Sequence, residues 1–268
     1  MIYDCFAFFN ELDLLEIRLN ELNNIVDKFV IVEATRTFQK KDKPLYFELN
    51  KERYKEFLPK IEHIVVDKYP NFFSKFRVPT PWDYDNWQKE FILKGLKNAA
   101  PDDVIIISDL DEIPNKKLVL EHMHLNGFKV FEQKFYYYYL NCLAKTSSGE
   151  PELWRGSVMT HKKNITTIKK ARVIRGKEGS NIHIIKNGGW HFSYLGGIDK
   201  IITKIESIAH SEFNLKEFKD PQRIKTIIEN GKDLFNRDVH YDVMELDPTF
   251  PNYIIHNQNK YEKLIFHK

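Results

Sequence analysis

Mostly apolar runs alternate with spaced apolar repeats over the first 110 residues. The runs cover residues 2–9, 29–34, 61–66 and 104–108. Runs of this kind predict strands that are buried on both faces. Between the first two runs, a leucine-rich segment has the 3-4-3-4 spacing that predicts a helix with one apolar face. Its apolar positions are Leu12, Leu15, Leu19, Leu22 and Val26.

Capping and stop signals indicate the other elements of the first half. Asn10 is expected to cap the first helix, and a short helix is expected near residues 52–57. Asp85 is expected to open a long helix over residues 85–99, which Pro101 ends.

The second half is less regular. Helices are predicted after Asp199 and after Asp220, where Asp220 is the N-cap and Gly231 the stop. The tail after Asp247 is predicted to be loop with a short terminal element. Three further strands are predicted at residues 130–140, 169–175 and 188–197.

Alternating buried strands and amphipathic helices predict an α/β fold, in which a mixed, mostly parallel central sheet lies within a three-layer α/β/α sandwich. We expect one domain over residues 1–268. Residues 1–112 would bind a nucleotide and residues 113–268 would shape an acceptor side. Ligands in such sheets bind beyond the carboxyl ends of the strands.

Composition excludes several classes of protein. The chain has 268 residues, 42% of them hydrophobic, and a net charge of +3, so it lacks the concentrated basic surface of a nucleic-acid binder. Cys5 and Cys142 are too few for a disulfide framework or a cysteine zinc site. There is no apolar run of bilayer length and no signal-peptide pattern. We therefore expect a cytoplasmic protein, and peripheral contact with a membrane stays open.

The most informative motif is DLDE, which follows the fourth apolar run. Two carboxylates at positions i and i+2, Asp109 and Asp111, can turn toward one Mg²⁺ or Mn²⁺ that also binds a diphosphate. One alternative is an acidic loop before a helix that Asn115 caps. Another is a phosphatase or phosphotransferase that uses Asp109 as the nucleophile, although Glu112 and Ile113 depart from that pattern.

Several other side chains are candidates for the site. Trp190 and His191 lie in a glycine-bracketed segment, and a neutral imidazole is a good Mn²⁺ ligand. Glu206 and His210 lie four residues apart in a predicted helix, so a carboxylate there could act as a general base. A solvated helix face explains the same pair.

Further candidates concern the nucleotide and the acceptor. Residues 162–177 hold seven basic side chains and no acidic one, and one or two of these could contact a diphosphate, although an exposed strand edge explains most of them. The aromatic surplus mainly predicts a large core, while some rings could face a sugar. Glu33, Asn86 and Gln88 are candidate nucleoside contacts, as is Trp190; Trp154, Tyr194 and His210 are candidate acceptor contacts.

Six segments occur together in an order that resembles glycosyltransferase family 17. They are DCFAFFNELDLLEIRLNEL, FVIVEA, WDYDNWQKEFILKGL, PDDVIIISDLDEIP, FYYYYLN and GGWHFSYLGG. The resemblance covers residues 3–214. It implies a GT-A-like, Rossmann-type fold, a UDP-sugar donor with N-acetylglucosamine as the expected sugar, a divalent cation, and inversion at the anomeric carbon.

By the same resemblance, Asp109 and Asp111 would be the metal motif and His191 a C-terminal metal ligand. No motif identifies the catalytic base, for which Glu206 is preferred to Glu112. Golgi members of this family carry a membrane anchor and a stem, and we expect neither in this chain. We therefore expect a glycan or glycolipid acceptor on the cytoplasmic side. The alternative outside enzymes is a catalytically inactive carbohydrate-binding protein.

Overall fold

The elements are known from a computed structural model that describes residues 1–69 and 78–267. Within these ranges the strands belong to one 11-stranded sheet. The strands are β1 (Ile2–Phe8), β2 (Lys28–Ala34), β3 (Ile61–Val66), β4 (Val104–Asp109), β5 (Glu112–Pro114), β6 (Phe128–Tyr137), β7 (Cys142–Thr146), β8 (Leu153–His161), β9 (Ile182–Ile185), β10 (Gly189–Ser193) and β11 (Val239–Val243). The helices are α1 (Leu12–Leu22), α2 (Tyr46–Asn50), α3 (Pro81–Glu90), α4 (Ile92–Gly95), α5 (Lys116–His122), α6 (Ile168–Val173), α7 (Ile198–Ile205), α8 (Pro221–Glu229) and α9 (Asn252–His256).

The sheet has the order β11-β7-β6-β8-β4-β1-β2-β3. Strands β4, β1, β2 and β3 run parallel to one another, as the alternation of strands and helices predicted. Antiparallel pairs join β8 to β4 and to β6, and β10 enters parallel to β6 and antiparallel to β5. The predicted α/β fold with a mixed sheet is confirmed.

Both faces of the central strands are covered. In β4, Val104 and Ile106 pack on one side with Leu15 of α1, whereas Ile105 and Ile107 pack on the other side with Ile168 of α6. Successive side chains of a strand point to opposite faces, so these two apolar clusters are the two interfaces of a three-layer sandwich. No helix in the described part of the chain is long and apolar enough to cross a bilayer.

The predicted strand at residues 169–175 is wrong, because this segment forms helix α6 followed by a 3₁₀ turn at Ile174–Gly176. Thr167 caps the helix by accepting from the backbone N–H of Lys170. The carboxylate of Glu90 accepts from the backbone N–H groups of Ile168 and Lys169. These bonds satisfy the first-turn donors that a short helix otherwise leaves free.

Three predicted helix starts are also wrong. The first helix begins after Glu11, not after a cap at Asn10. The helix predicted from Asp85 begins at Pro81, is capped by Thr80, and is interrupted near Phe91 before α4.

The third wrong start concerns α7, which begins after Gly197 and not at a cap formed by Asp199. Gly197 has a φ of 83°, which glycine adopts without strain. The helix ends at Ile205, so Glu206 and His210 do not share a helix face. The predicted cap at Asp220 is confirmed, since its carboxylate accepts from the backbone N–H of Arg223 at 2.9 Å.

Candidate active site

A cavity of about 840 Å³ lies at the carboxyl ends of β1, β4, β6 and β10. It contains the segment 109–112 and is bordered by side chains from α3, α6 and α7. The predicted acidic motif therefore lies in a cavity at the strand ends, where ligands of such sheets bind.

The backbone of the acidic motif is held in place by Arg18. This side chain is fully buried and donates to both carboxylate oxygens of Asp4, at 2.8 and 2.6 Å. Its Nη1 donates to the carbonyl oxygens of Asp109, Leu110 and Glu112 at 3.0, 3.0 and 2.9 Å. Arg18 thus fixes the path of the loop after β4.

Glu112 organises the wall of the cavity. It is buried, and its Oε2 accepts from the backbone N–H of Asp109 at 2.8 Å. Its Oε1 accepts from Trp154 Nε1 at 2.7 Å and from Arg175 Nη1 at 3.1 Å. Both oxygens are therefore engaged, and the predicted role of Glu112 as a base has no support from this arrangement.

Asp109 is enclosed by cations. Its Oδ1 lies 2.9 Å from Lys89 Nζ, and its Oδ2 accepts from Arg172 Nη2 at 2.6 Å. Burial raises the pKa of Asp109, but Arg172 and Lys89 lower it by more, so its pKa lies well below the usual value. The carboxylate is ionised at neutral pH.

Asp111 faces the opposite wall. Lys204 donates to its Oδ2 at 2.9 Å, and His191 Nε2 lies 3.6 Å from its Oδ1. Burial raises the pKa of Asp111, whereas Lys204 and His191 lower it by more, so the net shift is downward. The His191 ring stacks on Phe135, with centroids 4.5 Å apart and an interplanar angle of 5°.

These contacts test the predicted cation site. In residues 1–69 and 78–267 there is no group of three His, Cys, Asp or Glu side chains that could hold a metal. Asp109 does not fit, because both of its oxygens are in ion pairs. Asp111 Oδ1 and His191 Nε2 do fit, since 3.6 Å is too long for a hydrogen bond between them. Divalent cations often take few protein ligands and fill the other positions with phosphate oxygens and water.

The other predicted contacts divide into two groups. Asn86, Gln88, Trp154, Tyr194 and His210 line the cavity together with the acidic motif. Gln88 is buried, and its amide donates to the carbonyl oxygen of Val32 at 2.9 Å.

Glu33, Trp190 and Glu206 are not among the described residues that line the cavity. Glu33 is buried and accepts from Lys43 and from the backbone N–H of Phe47. Trp190 belongs to the core, where its Nε1 donates to a backbone carbonyl at 3.0 Å.

Glu206 also does not line the cavity. It lies 3.3 Å from Lys41 Nζ and 2.9 Å from Lys219 Nζ. The structure does not bring this predicted base to the acidic motif.

Aromatic rings continue around the rim of the cavity. Each ring contacts the next with centroids 4.1 to 5.6 Å apart. In order around the rim they are Trp82, His210, Phe213, Phe235, Tyr194, Tyr137, Phe135, His191 and Trp154.

Sequence reasoning missed most of the cations at the acidic motif. Arg172 and Arg175 were expected mainly at a strand edge, and Lys89 and Lys204 were not singled out. For another cation at the motif, Arg18, the sequence did contain a signal. Asp4 interrupts an apolar strand, and Arg18 lies between Leu15 and Leu22 on the apolar side of α1. Opposite charges at two interior positions indicate a buried ion pair.

Comparisons with known proteins agree with the motif pattern. The model of glycosyltransferase family 17 matches residues 1–265. Human β-1,4-mannosyl-glycoprotein 4-β-N-acetylglucosaminyltransferase is 32% identical over 117 residues, which cover 41% of this chain and 21% of the human protein. The rat and mouse proteins of that name match to the same extent. The aligned part thus spans about a fifth of the length of these curated relatives.

Among solved structures, HddC from Yersinia pseudotuberculosis aligns with a TM-score of 0.40 at 10% identity, over 69% of this chain and 89% of that chain. A putative glucose-1-phosphate thymidylyltransferase from Bacillus anthracis aligns with a TM-score of 0.39 at 12% identity, over 70% and 87% of the two chains.

Proposed function

Because this chain belongs to glycosyltransferase family 17, we propose that it transfers N-acetylglucosamine from a UDP-sugar to a hydroxyl of a glycan or glycolipid, with inversion at the anomeric carbon. The observation that carries the proposal is one cavity that joins a charged end to an aromatic rim. The charged end suits a nucleoside diphosphate, and the aromatic rim suits sugar rings.

The diphosphate would lie beside residues 109–112. A Mn²⁺ or Mg²⁺ ion would be held there by Asp111 and His191, whose facing atoms lie 3.6 Å apart. Bound there, such an ion supplies charge neutralisation to the leaving diphosphate. The chain itself contributes the fixed loop, because Arg18 donates to the carbonyl groups of Asp109, Leu110 and Glu112 and so holds that backbone turn in place.

The acceptor would lie along the rim formed by Phe213, Phe235 and Tyr194. Phe213 and Phe235 stack with centroids 4.1 Å apart, and both rings are partly exposed. Flat aromatic faces bind the C–H faces of sugar rings through apolar contact. A continuous aromatic surface therefore supports an acceptor with more than one sugar ring.

The acceptor hydroxyl must lose a proton as its oxygen attacks the anomeric carbon and the bond to the diphosphate breaks. Glu11 lines the cavity, and its Oε2 accepts only a backbone N–H bond from Asn10 among the described residues. Its Oε1 lies 3.8 Å from Lys204 Nζ, beyond hydrogen-bond distance. Glu11 Oε1 therefore accepts no hydrogen bond from the described residues, and Glu11 is the residue that we assign as the base.

The rival phosphatase reading finds less support. A nucleophilic Asp109 would need an oxygen free to attack phosphorus. Both of its oxygens lie within 2.9 Å of Lys89 or Arg172 nitrogens.

The test is a donor screen with the purified chain. UDP-N-acetylglucosamine, UDP-galactose and GDP-mannose are each incubated with Mn²⁺ and a panel of β-mannosyl oligosaccharides. We expect UDP release with the first donor, and a β-linked product by proton NMR. Release of inorganic phosphate without sugar transfer, or transfer with retention, would overturn the proposal.

A further inference from the structure

Four cationic side chains surround residues 109–112, and they come from three separate helical segments. Lys89 belongs to α3, Lys204 to α7, and Arg172 and Arg175 to the segment of α6 and its 3₁₀ turn. Arg172 and Arg175 are three residues apart, so they lie on one side of that segment. This side faces the cavity, since both residues line it.

Arg172 has a hydrogen-bond donor to spare. Its side chain is nine-tenths buried, and its Nη2 donates to Asp109 at 2.6 Å. Its Nη1 is buried with no hydrogen-bond partner among the described residues and lies 3.9 Å from Glu112 Oε2. Buried N–H groups of native proteins are almost always paired, so a buried guanidinium that lines a cavity with an unpaired nitrogen indicates a ligand.

Arg175 is held so that its remaining donors reach the cavity. Its Nη1 donates to Glu112 at 3.1 Å, and its guanidinium lies over the Trp154 ring, 5.3 Å from the centroid. Trp154 itself donates to the same Glu112 oxygen. One buried carboxylate thus orients both side chains. Arg175 has no other hydrogen bond within residues 1–69 and 78–267, and a guanidinium has five N–H donors.

We propose that Arg172 and Arg175 bind the diphosphate of the donor directly. The inference rests on the proposed function, because it assigns residues to the leaving group of that reaction. Planar guanidinium groups bind phosphate oxygens through paired, charge-assisted hydrogen bonds. When the bond from the anomeric carbon breaks, its electron pair passes to the β-phosphate oxygen. The two guanidinium groups neutralise the charge that develops there.

The experiment separates the diphosphate from the rest of the donor. Inorganic pyrophosphate, UDP and uridine are titrated calorimetrically into the wild type and two variants, with EDTA present. Arg175→Gln removes one guanidinium at a position that is about a third exposed. Arg172→Lys keeps the charge near Asp109 and removes the paired donors. Lys170→Gln is the control, because Lys170 is exposed on the same helix and does not line the cavity.

For Arg175→Gln we expect the affinity for pyrophosphate and UDP to fall about tenfold, with uridine affinity unchanged. Arg172→Lys should have the same direction, and Lys170→Gln should stay within about twofold of the wild type. Melting temperatures verify that each variant is folded. Because there are two variants, the test still stands if one of them does not fold.

The outcomes distinguish this inference from the proposed function. Unchanged pyrophosphate affinity in both folded variants, or a wild type that does not bind pyrophosphate in EDTA, overturns the inference even if sugar transfer is measured. A wild type that binds pyrophosphate in an arginine-dependent manner supports the inference. If the same protein binds UDP no better than pyrophosphate, the failure lies with the uridine donor of the proposed function.

Discussion

Arg18 and Arg172 both bind an aspartate beside the same loop, yet their surroundings differ. Arg18 and Asp4 are fully buried, and every nitrogen of the Arg18 guanidinium donates to a protein acceptor. Arg172 lines the cavity, and its Nη1 has no partner in the described residues. A saturated arginine contributes to the scaffold, whereas an unsaturated one is available to a ligand. Saturation, more than residue type, therefore separates structural from functional charges in this protein.

The largest effect is expected from breaking the saturated network. Arg18→Met leaves Asp4 as a buried, unpaired charge and removes the guanidinium that donates to the carbonyl groups of Asp109, Leu110 and Glu112. We expect the free energy of unfolding to fall by about 3–5 kcal/mol. Urea denaturation followed by circular dichroism measures the change.

A double variant serves as the control for Arg18→Met. Asp4→Asn combined with Arg18→Met removes both charges, so it should lose less stability than Arg18→Met alone. Equal losses in the single and double variants would show that the Asp4 charge is not the cause.

At the acidic motif we expect a loss of activity instead of stability. Asp111→Asn removes a carboxylate from the cavity, but Lys204, which pairs with Asp111, keeps Glu11 as a second acidic neighbour. Turnover should fall at least about 100-fold, while the melting temperature stays within about 4 °C. Initial rates over a Mn²⁺ series measure the first quantity.

The matched control is Asp102→Asn, whose side chain is 80% exposed. It should leave both turnover and melting temperature unchanged. If Mn²⁺ stimulated Asp111→Asn as strongly as the wild type, Asp111 would have no role in binding a cation.

Removal of the proposed base should also lower activity. Glu11→Gln keeps a side chain of the same size at the cavity and should lower kcat about 100-fold. Glu206→Gln should keep kcat within about twofold, because Lys41 and Lys219 hold Glu206 away from the described lining. The opposite ranking of the two variants would return the role to Glu206.

The sequence predicted what depends on local periodicity. The parallel strands β1, β2 and β4 were predicted within a residue or so of their ends, since each is a short apolar run. The position of the acidic motif followed from the strand that precedes it. These features depend on neighbours in the chain, which a pattern can represent.

Long-range contacts explain what the sequence did not predict. Helix α6 was predicted to be a strand. Its first-turn donors are satisfied by Glu90, 78 residues away from Ile168, and a local pattern does not contain that contact. The cations at the motif come from α3, from α7 and from α6 with its 3₁₀ turn, and no local spacing relates these segments. Glu206 was assigned to the site on the assumption of a longer helix, and α7 ends one residue before it.

The smallest effect is expected where a buried carboxylate is paired with cations that are partly exposed to water. Glu16 of α1 binds Arg53 at 2.6 Å and is also in contact with Lys260 and Tyr261. Burial raises the pKa of Glu16, but the bonds from Lys260 and Arg53 lower it by more, so the net shift is downward. A carboxyl group whose pKa is lower in the folded state stabilises the protein above its unfolded pKa, and this contribution is lost as pH falls through the folded pKa.

Glu16→Gln should therefore cost about 1 kcal/mol at neutral pH, a modest value because water screens the pair. The difference from the wild type should shrink as pH falls below about 4, where the unfolded glutamate begins to protonate. Denaturation curves at several pH values measure it. A difference that is independent of pH would mean that Glu16 stabilises the protein through packing. The contacts of Glu16 would then differ from the Arg18–Asp4 pair in more than the exposure of their charges.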